Sequence, residues 1–143
     1  MAKTTKPKDA KQLAVLCSKL AAEKHAEEIL LLDIAEIDGS PAEWFVIATC
    51  SSEPQVNAIA QHIEVTTKKA GIDIPKSEGW ESMNWIIMDY FDVVVHLMRP
   101  QARSFYKLEK LWGDANAYTI SAAGRLVKYK PSKTTSNPID DEE

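Results

Sequence analysis

The feature that most constrains the fold is a regular alternation along the chain between helical stripes and short apolar runs. A first helix is predicted behind Asp9, which can cap it, and it should end near Glu23 or His25. Its apolar residues recur at the spacing of one helical face: Leu13, Leu16, Cys17 and Leu20. Residues 29–34 form an apolar run, which predicts a buried strand.

The middle of the chain repeats this alternation. Residues 44–50 are rich in β-branched and aromatic side chains and predict a second strand. A second helix should begin behind Ser52, with Gln55 closing a capping box, and end with Gly71 as its C′ residue. Residues 72–76 predict a short edge strand, because the proline within them lacks an amide donor.

Two further strands and a helix complete the prediction. Residues 85–89 and 93–98 predict strands joined by a short turn without glycine, which indicates a hairpin. A last helix then begins at a proline, and one of its faces holds Phe105, Leu108 and Trp112. We therefore expect an α/β fold, with a mixed sheet of about five strands and helices packed on it.

Composition divides the chain of 143 residues into three segments. Residues 1–8 predict a flexible basic tail, and residues 9–114 predict the α/β domain. Residues 115–143 predict a C-terminal extension that is largely disordered from about residue 128, where the chain becomes polar. We expect neither tail to be needed for folding.

The distribution of charge favours a basic protein as partner over nucleic acid. The formal net charge is −4 at pH 7, and residues 13–124 hold nine basic and sixteen acidic residues. Nucleic-acid binders usually present a net basic surface.

No apolar run approaches the ~20 residues of a membrane span, and the N-terminus has no apolar segment like that of a secretory signal. We therefore expect a cytoplasmic protein without a membrane partner.

The sequence carries no positive sign of catalysis or metal binding. Asp33 with Asp38, or Asp89 with Asp92, could form acid/base or metal-binding pairs. The second pair flanks the hairpin turn, however, where aspartates commonly cap backbone amides. His96 lies between apolar residues in a strand and is either a core imidazole or a catalytic base. No glycine-rich phosphate loop is present, so we predict neither an enzyme nor a cofactor.

Aromatic residues are concentrated in one part of the chain. Seven of them lie within residues 80–112: Trp80, Trp85, Tyr90, Phe91, Phe105, Tyr106 and Trp112. A domain of this size would not readily bury all seven, and Tyr and Trp are common anchors of protein interfaces. Each could belong to the core or to a docking surface.

A set of short motifs occurs in a specific order within residues 10–114. In the second half they are Glu78-Gly79, WIIMD at 85–89, DVVVH at 92–96, and the spaced residues Arg103, Tyr106, Leu108, Glu109, Leu111 and Trp112. In the first half they are Leu32-Asp33-Ile34, FVIAT at 45–49, Ser51-Ser52 and Gln55-Val56. Together these motifs resemble the ribosomal silencing factor (Iojap) family. One departure is Phe91, because the family usually carries a glycine at this position of the hairpin turn.

The resemblance implies a fold like that of nucleotidyltransferases without their catalytic elements. It also implies a protein that binds the large ribosomal subunit through ribosomal protein fourteen, blocks association with the small subunit and represses translation when nutrients are limited. Homodimers are a further implication, and the acidic domain predicts little direct contact with ribosomal RNA. Two alternatives stay open here: a factor for large-subunit assembly, and a nucleotide-handling enzyme that uses Asp89, Asp92 and His96.

The docking surface is predicted on the hairpin and the last helix. Its candidate partner-binding residues are Trp85, Asp89, Tyr90, Asp92, His96, Arg103, Tyr106, Glu109, Lys110 and Trp112. Those expected to be exposed on one side are Trp85, Tyr90, His96, Tyr106 and Lys110. Phe105, Leu108 and Trp112 share a helical stripe and should face the core, although Trp112 could sit at the rim of the surface. Tyr90, at the tip of the turn, is expected to bind the partner while contributing little to stability.

Overall fold

The two long helices begin where the sequence provides caps. The structure, a computed structural model, describes residues 5–129. Helix α1 spans Ala10–Glu23, and the Asp9 side chain accepts a hydrogen bond from the amide of Gln12 at 2.8 Å. Helix α2 spans Glu53–Lys69 behind Ser52, whose hydroxyl accepts from the amide of Gln55 at 3.2 Å. These contacts confirm both predicted N-caps.

Seven strands form one sheet in the described part of the chain. They are β1 Glu27–Asp33, β2 Trp44–Thr49, β3 Lys76–Glu78, β4 Trp85–Asp89, β5 Val93–Met98, β6 Asn116–Ile120 and β7 Leu126–Lys128. Their order across the sheet is β3-β4-β5-β2-β1-β6-β7. Strands β2 and β5 pair in parallel, and every other pairing in this order is antiparallel. The mixed sheet is therefore confirmed.

The prediction of about five strands was too low. Strand β6 pairs with β1, and the Thr119 hydroxyl donates to the carbonyl of Ile29 at 2.8 Å, while β7 pairs with β6. The sheet thus continues beyond residue 114 and reaches Lys128. The edge strand expected at 72–76 instead forms at Lys76–Glu78, after Pro75. The predicted C-terminal disorder falls mainly on residues 130–143, which lie outside the described residues. Residues 1–4 of the predicted basic tail lie outside them too.

The last helix is broken in two, which corrects a second prediction. Helix α3 spans Pro100–Tyr106 and helix α4 spans Leu108–Leu111. Between them Lys107 adopts a left-handed conformation, with φ of 51°. A single helical stripe cannot continue through this residue. Leu108 is buried as expected, whereas Phe105 is 78% exposed and does not face the core.

The helices cover the two faces of the sheet unequally. Helices α1 and α2, of 14 and 17 residues, pack on one face over a large cluster of buried side chains that includes Leu31, Val46 and Val95. Helices α3 and α4, of 7 and 4 residues, lie on the other face, where Leu108 joins a smaller cluster. Strand β4 lies near the uncovered margin of this second face, and its Trp85 is only half-buried. Within residues 5–129, every helix is too short or too polar to cross a bilayer.

Candidate docking surface

A group of aromatic rings, two exposed and one half-buried, lies where β4 begins and α3 ends. Trp85 is the first residue of β4, and its ring centroid lies 4.8 Å from that of Tyr106. Tyr106 is 54% exposed and makes an edge-on contact with Phe105, with centroids 4.9 Å apart. We call Trp85, Phe105 and Tyr106 the aromatic surface. Such a cluster on a small domain is typical of a protein-binding site.

His96 supports this surface from beneath. The indole nitrogen of Trp85 donates a hydrogen bond to Nδ1 of His96 at 3.1 Å. His96 lies on β5, is only 5% exposed, and stacks at a tilt on Phe45 with centroids 4.5 Å apart. Burial lowers the pKa of His96 to about 4, so the imidazole is neutral near pH 7. The prediction that His96 is exposed was therefore wrong.

Arg103 and Glu109 attach the short helices to the sheet. Arg103 is 9% exposed, and its Nη1 donates to the Thr49 hydroxyl at 2.9 Å and to the carbonyl oxygen of Glu28. Its Nε lies 3.7 Å from a carboxylate oxygen of Glu109 on α4. Both residues therefore hold α3 and α4 in place beside the aromatic surface.

The remaining residues of the helical part lie around this group. Trp112 is half-buried and meets Phe45 edge-on, with centroids 5.8 Å apart. Lys110 is exposed, as predicted, and so is its neighbour Lys107. The structure therefore collects seven of the ten candidate residues on one side: Trp85, His96, Arg103, Tyr106, Glu109, Lys110 and Trp112.

The other three candidates, Asp89, Tyr90 and Asp92, lie at the opposite end of the β4–β5 hairpin. Trp85 pairs with Met98 in the register of these strands, whereas Asp89 pairs with Val94 beside the turn. Asp89 accepts a hydrogen bond from the amide of Phe91 at 2.7 Å, which is a structural capping role. Strand β4 thus separates these residues from the aromatic surface.

Tyr90 is a core-facing residue, which corrects the prediction of an exposed tip. Its hydroxyl lies 2.7 Å from that of Thr67 on α2, and its ring packs against the cluster under α1 and α2. Burial raises the pKa of the Tyr90 hydroxyl. The exposed tip residue is instead Phe91, which is 83% exposed.

Two exposed aromatic residues were not among the predicted partner contacts. Phe105 was assigned to the core because the break at Lys107 has no marker in the sequence such as glycine. Phe91 could have been recognised, because it occupies the turn position where a glycine is usual. Among residues 5–129, no group of three or more His, Cys, Asp or Glu side chains is placed to hold a metal ion.

Comparisons with known proteins agree with the motif resemblance. The family model described as ribosomal silencing factor during starvation matches residues 7–143. The ribosomal silencing factor of Bacillus subtilis is 40% identical over 105 residues, which span 73% of this chain and 88% of the relative. That of Chromobacterium violaceum is 42% identical over 111 residues, with 74% and 90% covered. A crystal structure of a protein from Chromobacterium violaceum is similar with a TM-score of 0.70 and 33% identity, over 87% of this chain and 91% of that one. The chain therefore belongs to the ribosomal silencing factor family.

Proposed function

We propose that this protein binds the free large ribosomal subunit through ribosomal protein fourteen and thereby prevents association with the small subunit. It would act in the cytoplasm, by occupying a surface rather than by catalysis, and would lower translation when nutrients are limited. Family membership supports the ribosomal target. The observation that carries the docking site is the aromatic surface, where Trp85, Phe105 and Tyr106 meet at the margin of the sheet.

The exposure and support of these side chains favour a binding role. Tyr106 and Phe105 are 54% and 78% exposed, so neither contributes most of its area to the core. Their helix is nevertheless held to the sheet by the buried Arg103. Aromatic anchors on a rigid support lose little conformational freedom on binding, which favours affinity.

Side chains of both charges lie near the aromatic surface, so electrostatic attraction would support binding there without supplying most of the affinity. Lys107 and Lys110 are exposed there, and Glu109 is half-buried. The net acidity of the chain would speed encounter with a basic ribosomal protein, while the aromatic side chains would supply most of the affinity. Direct contact with ribosomal RNA would be small. A homodimer formed through the aromatic surface would compete with ribosome binding.

Co-sedimentation with purified particles tests this function. The protein should pellet with free large subunits, and should not pellet with small subunits or joined ribosomes. Added before the subunits are mixed, it should reduce the light scattering that reports their joining. Equal binding to joined ribosomes and free large subunits would contradict the proposal, as would unchanged joining at saturating protein.

A further inference from the structure

Trp85 lies at an open margin, yet its indole ring is fixed from two sides. Its Nε1 donates to Nδ1 of His96 at 3.1 Å, and the Tyr106 ring packs against it at a tilt of 45°, with centroids 4.8 Å apart. A side chain at the first position of a strand near the sheet margin otherwise has several accessible rotamers. The hydrogen bond therefore selects one orientation of the ring.

The acceptor of this bond is itself immobile. His96 lies on β5, between β2 and β4, and is paired in register with Ile47 on one side and Ile87 on the other. Its ring contacts Phe45 with centroids 4.5 Å apart. The Nδ1 acceptor of this buried imidazole therefore has a fixed position relative to Trp85 at the margin of the sheet.

The choice of histidine at this buried position has a cost that an apolar residue would avoid. Because Nδ1 accepts the Trp85 bond, the proton of the neutral ring is on Nε2. Within residues 5–129, this buried Nε2 has no hydrogen-bond partner. Burial of an unpaired polar group is unfavourable. What the imidazole provides, and phenylalanine or leucine could not, is the acceptor for Trp85.

We infer that His96 is a positioning residue for docking: its Nδ1 holds the Trp85 indole in the orientation that the aromatic surface presents to its partner. The inference rests on the proposed function, because it takes Trp85 as a docking residue. His96 itself touches no partner, since its side chain is covered in the free protein. It acts through Trp85 alone.

Two substitutions of His96 separate positioning from packing. His96→Phe keeps a planar ring of similar size and removes the acceptor. His96→Asn is the conservative variant, because its side-chain oxygen can occupy the place of Nδ1 and accept the indole bond. For large subunits, we expect His96→Phe to raise Kd about two- to tenfold, the range for ordering one side chain on binding. His96→Asn should stay within about twofold of the wild type.

A double-mutant cycle tests whether His96 acts through Trp85. In a Trp85→Ala background, His96→Phe should cause no further loss of large-subunit affinity. Losses that add fully in the double variant would overturn the inference, since they would mean that His96 affects binding by another route. A failure of His96→Asn to bind better than His96→Phe would overturn it too.

A measurement on the free protein makes the test independent of ribosome binding. The indole Nε1–H resonance of Trp85, assigned from its loss in Trp85→Phe, should exchange slowly in the wild type and in His96→Asn. It should exchange rapidly in His96→Phe. Unchanged exchange in His96→Phe overturns the inference whatever the binding result. If Trp85→Ala binds as tightly as the wild type, Trp85 is not a docking residue, and both the proposed site and the docking role of His96 fail.

Discussion

Replacement of Phe91 by glycine should stabilise the protein, because the turn holds this residue in a conformation that side chains disfavour. Phe91 has φ of 80°, and the amide of Asp92 donates to the carbonyl of Tyr90 at 3.0 Å across it. This geometry is that of the strained γ-turn with positive φ. The ring is 83% exposed, so its removal forfeits little packing.

The expected gain follows from two opposing terms. A left-handed conformation costs an L-residue roughly 1–2 kcal/mol, whereas glycine loses roughly 0.5–1 kcal/mol more backbone entropy on folding. Phe91→Gly should therefore raise the free energy of unfolding by up to about 1.5 kcal/mol, which corresponds to a rise in Tm of up to about 5 °C for a chain of this size.

Urea unfolding followed by circular dichroism measures this change. Phe91→Ala is the matched control, because it removes the ring but keeps a Cβ at positive φ, and it should show no gain. If Phe91→Gly is no more stable than Phe91→Ala, the strain assigned to this turn is absent and the reasoning is refuted.

Three further substitutions test the contacts around the hairpin and the short helices. Tyr90→Phe should lower the free energy of unfolding in urea titrations by only about 1 kcal/mol. It removes the hydrogen bond to the Thr67 hydroxyl, but Thr67 keeps its bond to the carbonyl of Ile63. Arg103→Lys should lower the free energy of unfolding by about 2 kcal/mol by the same method, because a lysine ammonium cannot reproduce the hydrogen bonds of the planar guanidinium to Glu28 and Thr49. Between pH 7 and pH 4, wild-type stability should fall by roughly 3 kcal/mol more than that of His96→Asn, because the pKa of about 4 in the folded protein is below the ordinary 6.5. Parallel pH curves for these two proteins would contradict the burial of His96.

The parts of the fold that local sequence determines were predictable. The caps Asp9 and Ser52 and the apolar stripes behind them define α1 and α2, and these signals act within a few residues. The β4–β5 hairpin followed from two apolar runs at short separation. The family resemblance also depended on ordered local motifs.

Long-range contacts decide what the sequence left undetermined. Tyr118, Thr119 and Ile120 favour a strand locally, but their pairing is with β1, which lies far away in the chain. Tyr90 faces inward, where its hydroxyl meets that of Thr67 on α2, and Phe105 is exposed on α3, which ends at the left-handed Lys107. His96 is a different case, since all six residues of β5 are buried and the unbroken apolar run around it already indicated a central strand.

The most direct test of the account is the Kd of fluorescently labelled protein for free large subunits, compared between Tyr106→Ala and Phe91→Ala. Both variants remove an exposed aromatic ring, one from the aromatic surface and one from the opposite end of the hairpin. Tyr106→Ala should weaken binding about thirtyfold, the usual effect of losing a docking anchor. Phe91→Ala should bind like the wild type, with both variants folded at the assay temperature. Wild-type affinity in Tyr106→Ala, or an equal loss in Phe91→Ala, would contradict docking through the aromatic surface.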